Sequence, residues 1–395
     1  MTGGPSDHVK TTGKELVSRG YDVSVLTSSF KRYPVTPYEF EHKSIYEGLK
    51  VYRVNTGANN ELHPDFLSFL EKLDKQENFD IYHCMLPPSH MAYKFIKEKL
   101  GKKIIHDVRT GSEAIFEMEE SELKYADKIV VNSKKWASWY KYKVTKKEDK
   151  EVLYEGRANR NCECLYDGID GYLFWGGVKK QLSHSILFVG RLTRAKGLDV
   201  LIQACNLVKN AISDLRVFAV GQYTGEDWDF PSYFDVIGLT KDIRRYYEYA
   251  DITVLPSESE GLPRVLLESI WMCRPCIFSD VGAIREIHEI CDFGYVLDEG
   301  EVKYPSSVKK EDYWNDRVTL PAWSFKHDIS PKETWGWCYS KEQIRNFADK
   351  TVKLLTDKEL YDKFANNCLE HRQMFGIPHM VTRLIQIYEE VMRSL

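Results

Sequence analysis

The sequence predicts an α/β fold made of two doubly wound parallel sheets. Its 395 residues exceed what one hydrophobic core usually holds, which indicates two domains. Hydrophobic residues make up 43% of the chain and charged residues 29%, the ordinary composition of a globular protein. Short β-branched runs alternate with amphipathic helical segments in two successive series. Such alternation is typical of parallel sheets whose faces are covered by helices.

The first series occupies the amino-terminal part of the chain. Its predicted strands are Val23–Thr27, Leu49–Val54, Ile81–Met85, Ile104–Val108 and Lys128–Asn132. Its predicted helices are His8–Arg19, His63–Gln76, Met91–Leu100 and Ser133–Lys143. The alternation predicts that this part forms the first of two domains, over residues 1–170.

The second series follows Tyr166–Lys180, whose Gly and Asp content indicates a linker. Its predicted strands are Ile186–Gly190, Leu215–Gly221, Phe234–Ile237, Asp251–Leu255, Cys276–Ser279 and Tyr295–Leu297. We expect a second domain over residues 171–375. A closing helix over residues 376–395 is expected to pack back on the first domain.

Two carboxylates bracket a turn and a helix start after the predicted strand Asp251–Leu255. The turn carries Glu260, and a helix is predicted from Pro263 to Met272, because the missing N–H of proline would be unpaired at the first helical position. The amino end of this helix favours phosphate. Glu268 lies among apolar residues, where an ionised carboxylate needs a hydroxyl or cationic partner, and a ribose diol would supply one. An ordinary amphipathic helix with two chance acids is the alternative.

A basic loop follows the predicted strand at Ile186–Val189. The strand breaks at Gly190 into a loop that carries Arg191, Arg194 and Lys196, and a helix follows. Cations at the carboxyl end of a strand, on a loop that opens a helix, are well placed to hold a diphosphate. A solvated basic turn is the alternative interpretation.

Together these segments resemble the retaining nucleotide-sugar glycosyltransferases of the GT-B type known as glycosyltransferase family 4, or group 1. The matching residues are Phe188–Leu192 with Lys196–Gly197, and Glu260–Pro263 with Glu268. Weaker matches are Gly3–Gly4 with Arg19–Thr27, Ala126–Ser133, Tyr166–Asp170, where Asp167 replaces the usual Asn, and Phe375–Val391. The resemblance implies two Rossmann-like domains that face a central cleft.

The resemblance also implies a chemistry, which is metal-independent sugar transfer from a UDP- or GDP-sugar with retention of anomeric configuration and without a cofactor. Arg191 and Lys196 would clamp the leaving nucleoside diphosphate, and Glu268 would bind the ribose hydroxyls. Glu260 would hold the sugar and stabilise the positive charge at its anomeric carbon. Further donor contacts are expected from Gly261, Leu262, Gly190, Ile237, Gly3 and Gly4. The resemblance leaves the acceptor open as a glycan, a lipid-linked molecule or a small molecule.

Arg109 stands at the end of the predicted strand Ile104–Val108, where the family often has a histidine. A subset of the family has a similar Asp-Val-Arg sequence, which implies that Arg109 reaches the sugar or the acceptor across the cleft. A structural ion pair with Asp107 or Glu113 is the alternative.

Two regions depart from the family pattern. The chain opens at Met1–Gly4 without the apolar strand that normally precedes the double glycine. We expect the upstream coding sequence to supply about five to eight apolar residues, without which the neighbouring strand edges lack a partner. The region Tyr304–Tyr339 is an aromatic insertion that either lines the acceptor opening or covers an apolar surface.

Composition argues against several classes of protein. No apolar run approaches a membrane span and the amino terminus has no apolar signal region, so a cytoplasmic protein is predicted. The net charge of −4 argues against a general nucleic-acid binder. Nine cysteines without paired spacing fit reduced thiols, and Cys273 and Cys276 are interpreted as core residues rather than as a zinc or redox half-site.

Three further interpretations stay open. The basic and aromatic residues of Lys134–Lys147 indicate either a peripheral membrane contact or a solvated helix. Asp227 and Asp229 would be the metal site of a single-domain, metal-dependent transferase. A non-catalytic nucleotide-sugar sensor or an epimerase on the same two-domain fold is the other rival.

Overall fold

The computed structural model describes residues 4–28, 43–54, 64–85, 90–109, 124–141, 143–147, 150–154, 161–224, 228–298, 301–303 and 336–394. The chain divides into two compact units. Unit 1 comprises Met1–Arg109, Ile115–Gly168 and Gly376–Leu395, and unit 2 comprises Thr110–Ala114 and Ile169–Phe375. The divisions after Gly168 and Phe375 lie at or close to the boundaries expected from the sequence.

The strands of unit 1 form separate sheets. They are β1 (Ser24–Ser28), β2 (Lys43–Tyr46), β3 (Leu49–Val54), β4 (Ile81–Cys84), β5 (Lys103–Val108), β6 (Lys128–Val131), β7 (Lys143–Lys147), β8 (Lys150–Tyr154) and β9 (Cys162–Cys164). One sheet has the order β1-β3-β2, with β2 antiparallel. The other is parallel in the order β4-β5-β6-β9, and β7 pairs with β8 as a hairpin.

This arrangement differs from the single sheet expected for the first domain. In the described part of the chain, β1 and β4 are each the end strand of a different sheet, so one edge of each has no strand partner there. The sequence also gave no signal for β2, which reverses through the turn at Glu47 and Gly48 to pair with β3. Glu47 and Gly48 both have positive φ, as the tight turn requires.

The first helices of unit 1 follow the predicted positions with shifted ends. They are α1 (Gly4–Ser18), α2 (Pro64–Glu77), α3 (His90–Lys94) and α4 (Lys134–Lys141). α1 begins four residues before the predicted start at His8, and α3 continues as a π-helical turn over Phe95–Lys99. In α4, Trp136 packs in the core with Ile129 and Val131, whereas Lys134 and Lys135 are exposed. Trp136 is therefore not available for the membrane contact considered above.

Unit 2 is a doubly wound α/β domain, as predicted. Its main strands are β10 (Ser185–Val189), β11 (Arg216–Val220), β12 (Phe234–Gly238), β13 (Ile252–Leu255), β14 (Cys276–Ser279) and β15 (Gly294–Leu297). They form one parallel sheet in the order β12-β11-β10-β13-β14-β15. Every residue of β13 is buried, because helices cover both faces of the sheet. Strands β16 (Glu301–Lys303) and β17 (Gly336–Cys338) pair as an antiparallel ribbon.

The longer helices of unit 2 connect and cover these strands. They are α5 (Leu198–Ala211), α6 (Ile243–Tyr249), α7 (Arg264–Trp271), α8 (Ile284–Cys291), α9 (Lys341–Thr356) and α10 (Lys358–His371). Helix α9 begins with a capping box, in which Ser340 and Gln343 exchange hydrogen bonds.

The closing helix α11 (Ile377–Arg393) belongs to unit 1. Its buried face, which includes Val381 and Leu384, packs in one core cluster with Ile105 of β5 and Val130 of β6. This core is contiguous over helix and sheet, so the last segment is part of the first domain. Among the described residues, no helix combines the length and apolar character needed to cross a membrane.

Candidate active site

The basic loop after β10 is fixed against the turn after β13. A short 3-10 turn spans Arg194–Lys196 and ends at Gly197, whose φ of 73° favours glycine. A Cβ on Gly197 would lie 1.9 Å from the carbonyl oxygen of Pro256, so the two loops touch through their backbones. The Ala195 carbonyl also accepts hydrogen bonds from the Ser257 hydroxyl at 3.2 Å and from the Glu258 N–H at 3.0 Å. The cations of this loop are therefore held at a defined place relative to the acidic turn.

Lys196 and Glu260 meet in an ion pair. The Lys196 Nζ lies 2.6 Å from Glu260 Oε1, and both side chains are partly exposed. Arg191, in the same loop, is exposed. Lys196 follows β10 and Glu260 follows β13, the two neighbouring strands at which the order of the sheet reverses direction. Ligands of open α/β sheets bind outside the carboxyl ends of the strands at such a switch point.

The turn that carries Glu260 is closed by the loop after β14. The Gly261 carbonyl accepts a hydrogen bond from the Ala283 N–H at 2.8 Å, and Leu262 is buried. Gly282 has a φ of 58°, and a Cβ there would lie 2.0 Å from the Gly261 oxygen. Gly261 and Leu262 thus form a rigid floor beside the Glu260 side chain.

Helix α7 begins one residue later than predicted. Pro263 is its N-cap in an extended conformation, φ −68° and ψ 124°, and Arg264 is the first helical residue. The ψ value of Pro263 lets the chain turn from Leu262 into the helix, so the proline ends the loop instead of starting the helix. The helix ends at Trp271, and Met272 is its C-cap.

Glu268 has protein partners that the sequence did not reveal. The Tyr247 hydroxyl of α6 donates to Glu268 Oε2 at 2.8 Å, and the Arg264 Nε lies 3.9 Å from Oε1. Burial raises the pKa of Tyr247 well above its usual value, and the neighbouring Glu268 carboxylate raises it further. Tyr247 gave no sequence signal as a functional residue, because a Tyr in an amphipathic helix is usually a core residue.

The loops after β11 and β12 are joined beside the basic loop. The Gly221 N–H donates to the Gly238 carbonyl at 2.9 Å, and Ile237, one of the predicted donor contacts, is half-buried in β12. Leu192 pairs with Tyr223 in an isolated parallel bridge, which extends the β10–β11 ladder into the basic loop. Gly190 donates its N–H to the Val220 carbonyl at 3.0 Å. The structure thus brings the carboxyl ends of β10, β11 and β12 together with those of β13 and β14.

Three predicted site residues belong to unit 1. Gly4 is the first residue of α1, and Gly3 lies outside the described residues. Arg109 is almost fully buried, with its Nε 2.7 Å from Asp107 Oδ1 and its Nη1 3.1 Å from Asp167 Oδ1. The ion pair with Asp107, left as the alternative for Arg109, is therefore present, and Glu113 lies outside the described residues. A contact of Arg109 with sugar or acceptor stays a prediction.

The remaining sequence hypotheses fall only partly on described residues. Asp227 lies outside them, and among the described residues no group of three or more His, Cys, Asp or Glu side chains is arranged to hold a metal ion. Cys273 and Cys276 are fully buried. Most of the aromatic region Tyr304–Tyr339 also lies outside, but its strand β17 contacts the 3-10 turn Arg194–Lys196. The carboxyl end of that region therefore lies beside the basic loop.

Comparison with solved structures identifies the fold. The structure is similar to that of sucrose-phosphate synthase from Thermosynechococcus elongatus, with a TM-score of 0.67, 15% sequence identity, and coverage of 99% of this chain and 94% of the other. It is also similar to Anabaena Alr3699/HepE in complex with UDP and glucose, with a TM-score of 0.62, 12% identity, and coverage of 98% and 96%. The protein therefore has the GT-B glycosyltransferase fold, which confirms the predicted fold class.

Sequence comparison identifies the family. Residues 183–303 match the model described as glycosyl transferases group 1, and residues 2–156 match the model described as glycosyltransferase family 4. An uncharacterised glycosyltransferase of Methanocaldococcus jannaschii is 26% identical over 392 residues, which cover 90% of this chain and 94% of that relative. The chain belongs to the group 1, family 4 glycosyltransferases.

Proposed function

We propose that this glycosyltransferase moves a sugar from a nucleotide-sugar donor to an acceptor hydroxyl, with retention of anomeric configuration and without a metal ion. The observation that carries the proposal is the Lys196–Glu260 pair at the switch point of the unit 2 sheet. A cation suited to the leaving diphosphate and a carboxylate suited to the developing sugar cation lie in contact there. The two charges that separate as the glycosidic bond breaks thus each have a partner of opposite sign.

The donor diphosphate is assigned to the basic loop and the start of α7. Lys196 and the exposed Arg191 supply positive charge, and the amino end of α7 presents backbone N–H groups. In other transferases a metal ion supplies this positive charge and stabilises the leaving group. A uridine nucleotide is the first donor to test, because the similar Anabaena protein was solved with UDP and glucose bound.

Glu268 and Glu260 contact the other two parts of the donor, the ribose and the transferred sugar. Glu268 lies more than one helical turn into α7 and accepts ribose hydroxyls, whereas Glu260 lies on the turn and faces the sugar. In the retaining step the bond from the anomeric carbon to the phosphate oxygen breaks and the acceptor oxygen bonds on the same face. The acceptor proton passes to the leaving phosphate oxygen, so no protein base is required.

The proposal is tested by incubating the protein with UDP-glucose, UDP-N-acetylglucosamine or GDP-mannose and a panel of acceptors, with and without EDTA. We expect release of nucleoside diphosphate, a product of retained configuration by NMR, and equal rates in both conditions. Loss of activity in EDTA with rescue by manganese would overturn the metal-independent mechanism in favour of a site at Asp227 and Asp229. Tight binding of nucleotide sugar without turnover would instead support the sensor.

A further inference from the structure

We infer that Tyr247 is a positioning residue for nucleotide recognition, and that its hydroxyl orients the Glu268 carboxylate toward the ribose hydroxyls of the donor. This inference rests on the proposed function, because Glu268 meets a ribose only if a nucleotide occupies unit 2. It adds a residue outside both sequence motifs to the donor site.

Tyr247 is held rigidly within unit 2. Its side chain is fully buried, and its ring contacts the buried Phe174 edge to face, with the centroids 5.9 Å apart. Its backbone carbonyl accepts a hydrogen bond from the Arg274 Nε at 2.7 Å. Ring and backbone are therefore both fixed, so the hydroxyl has one location.

The direction of the Tyr247–Glu268 hydrogen bond is also fixed. Burial and the neighbouring carboxylate raise the pKa of Tyr247 well above its usual value, so the phenol keeps its proton and donates it to Glu268 Oε2 at 2.8 Å. A hydrogen bond to an ionised acceptor is stronger than one between neutral groups. Tyr247 therefore defines where one oxygen of the Glu268 carboxylate lies.

The position of that oxygen determines the orientation of the other. The terminal torsion of a glutamate is broad, and the Arg264 Nε at 3.9 Å from Oε1 is too distant to restrict it by a hydrogen bond. Without the Tyr247 hydroxyl, Oε2 loses this buried donor and the carboxylate can adopt a wider range of orientations. Because a binding group held out of its productive geometry loses much of its contribution, the cost appears in ribose recognition.

The experiment compares one nucleotide with its analogue that lacks the ribose hydroxyls. UDP, GDP and ADP are titrated into the wild-type protein by calorimetry, and the tightest ligand is paired with its 2′,3′-dideoxy form. We expect Tyr247→Phe to weaken binding of the ribonucleotide about tenfold and to change binding of the dideoxy nucleotide by less than about twofold. Tyr233→Phe, which removes another tyrosine hydroxyl of unit 2, one that donates to Asn206 Oδ1 at 2.6 Å, should change neither.

A double variant tests whether Tyr247 acts through Glu268. Glu268→Ala should abolish the preference for the ribonucleotide, and adding Tyr247→Phe to it should have no further effect on either affinity. Equal weakening of both nucleotides in Tyr247→Phe, or unchanged binding of both, would overturn the inference and leave the proposed function standing. Failure of the wild-type protein to bind any of the three nucleotides would overturn both.

Discussion

Glu260 and Glu268 have different partners, which separates their expected contributions. Glu260, on the turn, forms an ion pair with Lys196. Glu268, in α7, accepts a hydrogen bond from the Tyr247 hydroxyl. We predict that Glu260→Ala lowers kcat at saturating donor on the order of 100-fold, because it removes one preorganised charge next to the reacting carbon. Glu268→Gln should mainly weaken nucleotide binding. Measuring kcat and the nucleotide Kd for both variants checks this, and wild-type turnover in Glu260→Ala would contradict it.

The basic loop leads to a second prediction at the residue scale. Lys196→Ala and Arg191→Ala should each cost about 2–4 kcal/mol of transition-state stabilisation, measured from kcat/KM. Lys196→Ala also removes the ion-pair partner of Glu260, so its effect should be the larger. Arg216→Ala is the control, because this exposed cation pairs with Asp235 at the opposite end of β11. A loss in Arg216→Ala as large as in Arg191→Ala would show that the effect reflects general surface charge.

Much of the candidate site could be predicted from the sequence, but only where the residues of a motif lie close together along the chain. Lys196, Glu260 and Glu268 follow from motifs in which the strand, the turn and the charges are neighbours in sequence. Tyr247 could not be found this way, because its hydroxyl reaches Glu268 only through the packing of α6 against α7. Arg109 shows the same limit, since its partner Asp167 lies on a distant segment, so the local sequence did not indicate this ion pair.

At the scale of elements, the strands could be predicted from regular apolar runs, but the exact helix start at Pro263 and the pairing of strands into sheets could not. Each buried strand of unit 2 was predicted to within one or two residues, because β-branched runs end at Gly, Pro or charge. Pro263 was expected in the helix and instead caps it, since proline fixes φ but leaves ψ to the surroundings. The division of unit 1 into two sheets could not be derived from any one segment, because strand pairing depends on residues far apart in sequence.

The loop after β14 gives a prediction at the same scale. Gly282→Ala should destabilise the protein by about 1–3 kcal/mol and lower transfer activity, because the new Cβ would meet the Gly261 carbonyl at a positive φ. The displaced turn would carry Glu260 with it. Thermal unfolding and steady-state kinetics measure the two effects. Gly177→Ala is the matched control, since a Cβ there would meet no atom within 4 Å, and an equal loss in both variants would exclude the proposed contact.

For the whole molecule, acid should destabilise unit 1 through a buried histidine. The His8 Nδ1 lies 2.9 Å from Asp167 Oδ1, and the His8 side chain is buried. Burial lowers the pKa of His8 below its usual value, and the nearby Arg109 lowers it further, despite the opposing effect of Asp167. Burial alone would raise the pKa of Asp107, but Arg109 and His83 hold that pKa well below its usual range. Below about pH 6.5, protonation of His8 is therefore favoured in the unfolded chain over the folded chain, while Asp107 stays ionised.

The sign of the pH effect follows from the lowered pKa of His8. Below about pH 6.5 the unfolded chain takes up the His8 proton more readily than the folded chain, so stability is full above that pH and falls as the pH decreases. We predict that the free energy of opening α11, measured by hydrogen exchange corrected for intrinsic rates, decreases from pH 7 to pH 5 by up to about 1.4 kcal/mol per pH unit. His8→Asn should flatten this dependence in unit 1. His288→Asn, which removes a histidine of lowered pKa from unit 2, should leave it unchanged, and an unaltered slope in His8→Asn would contradict the assignment.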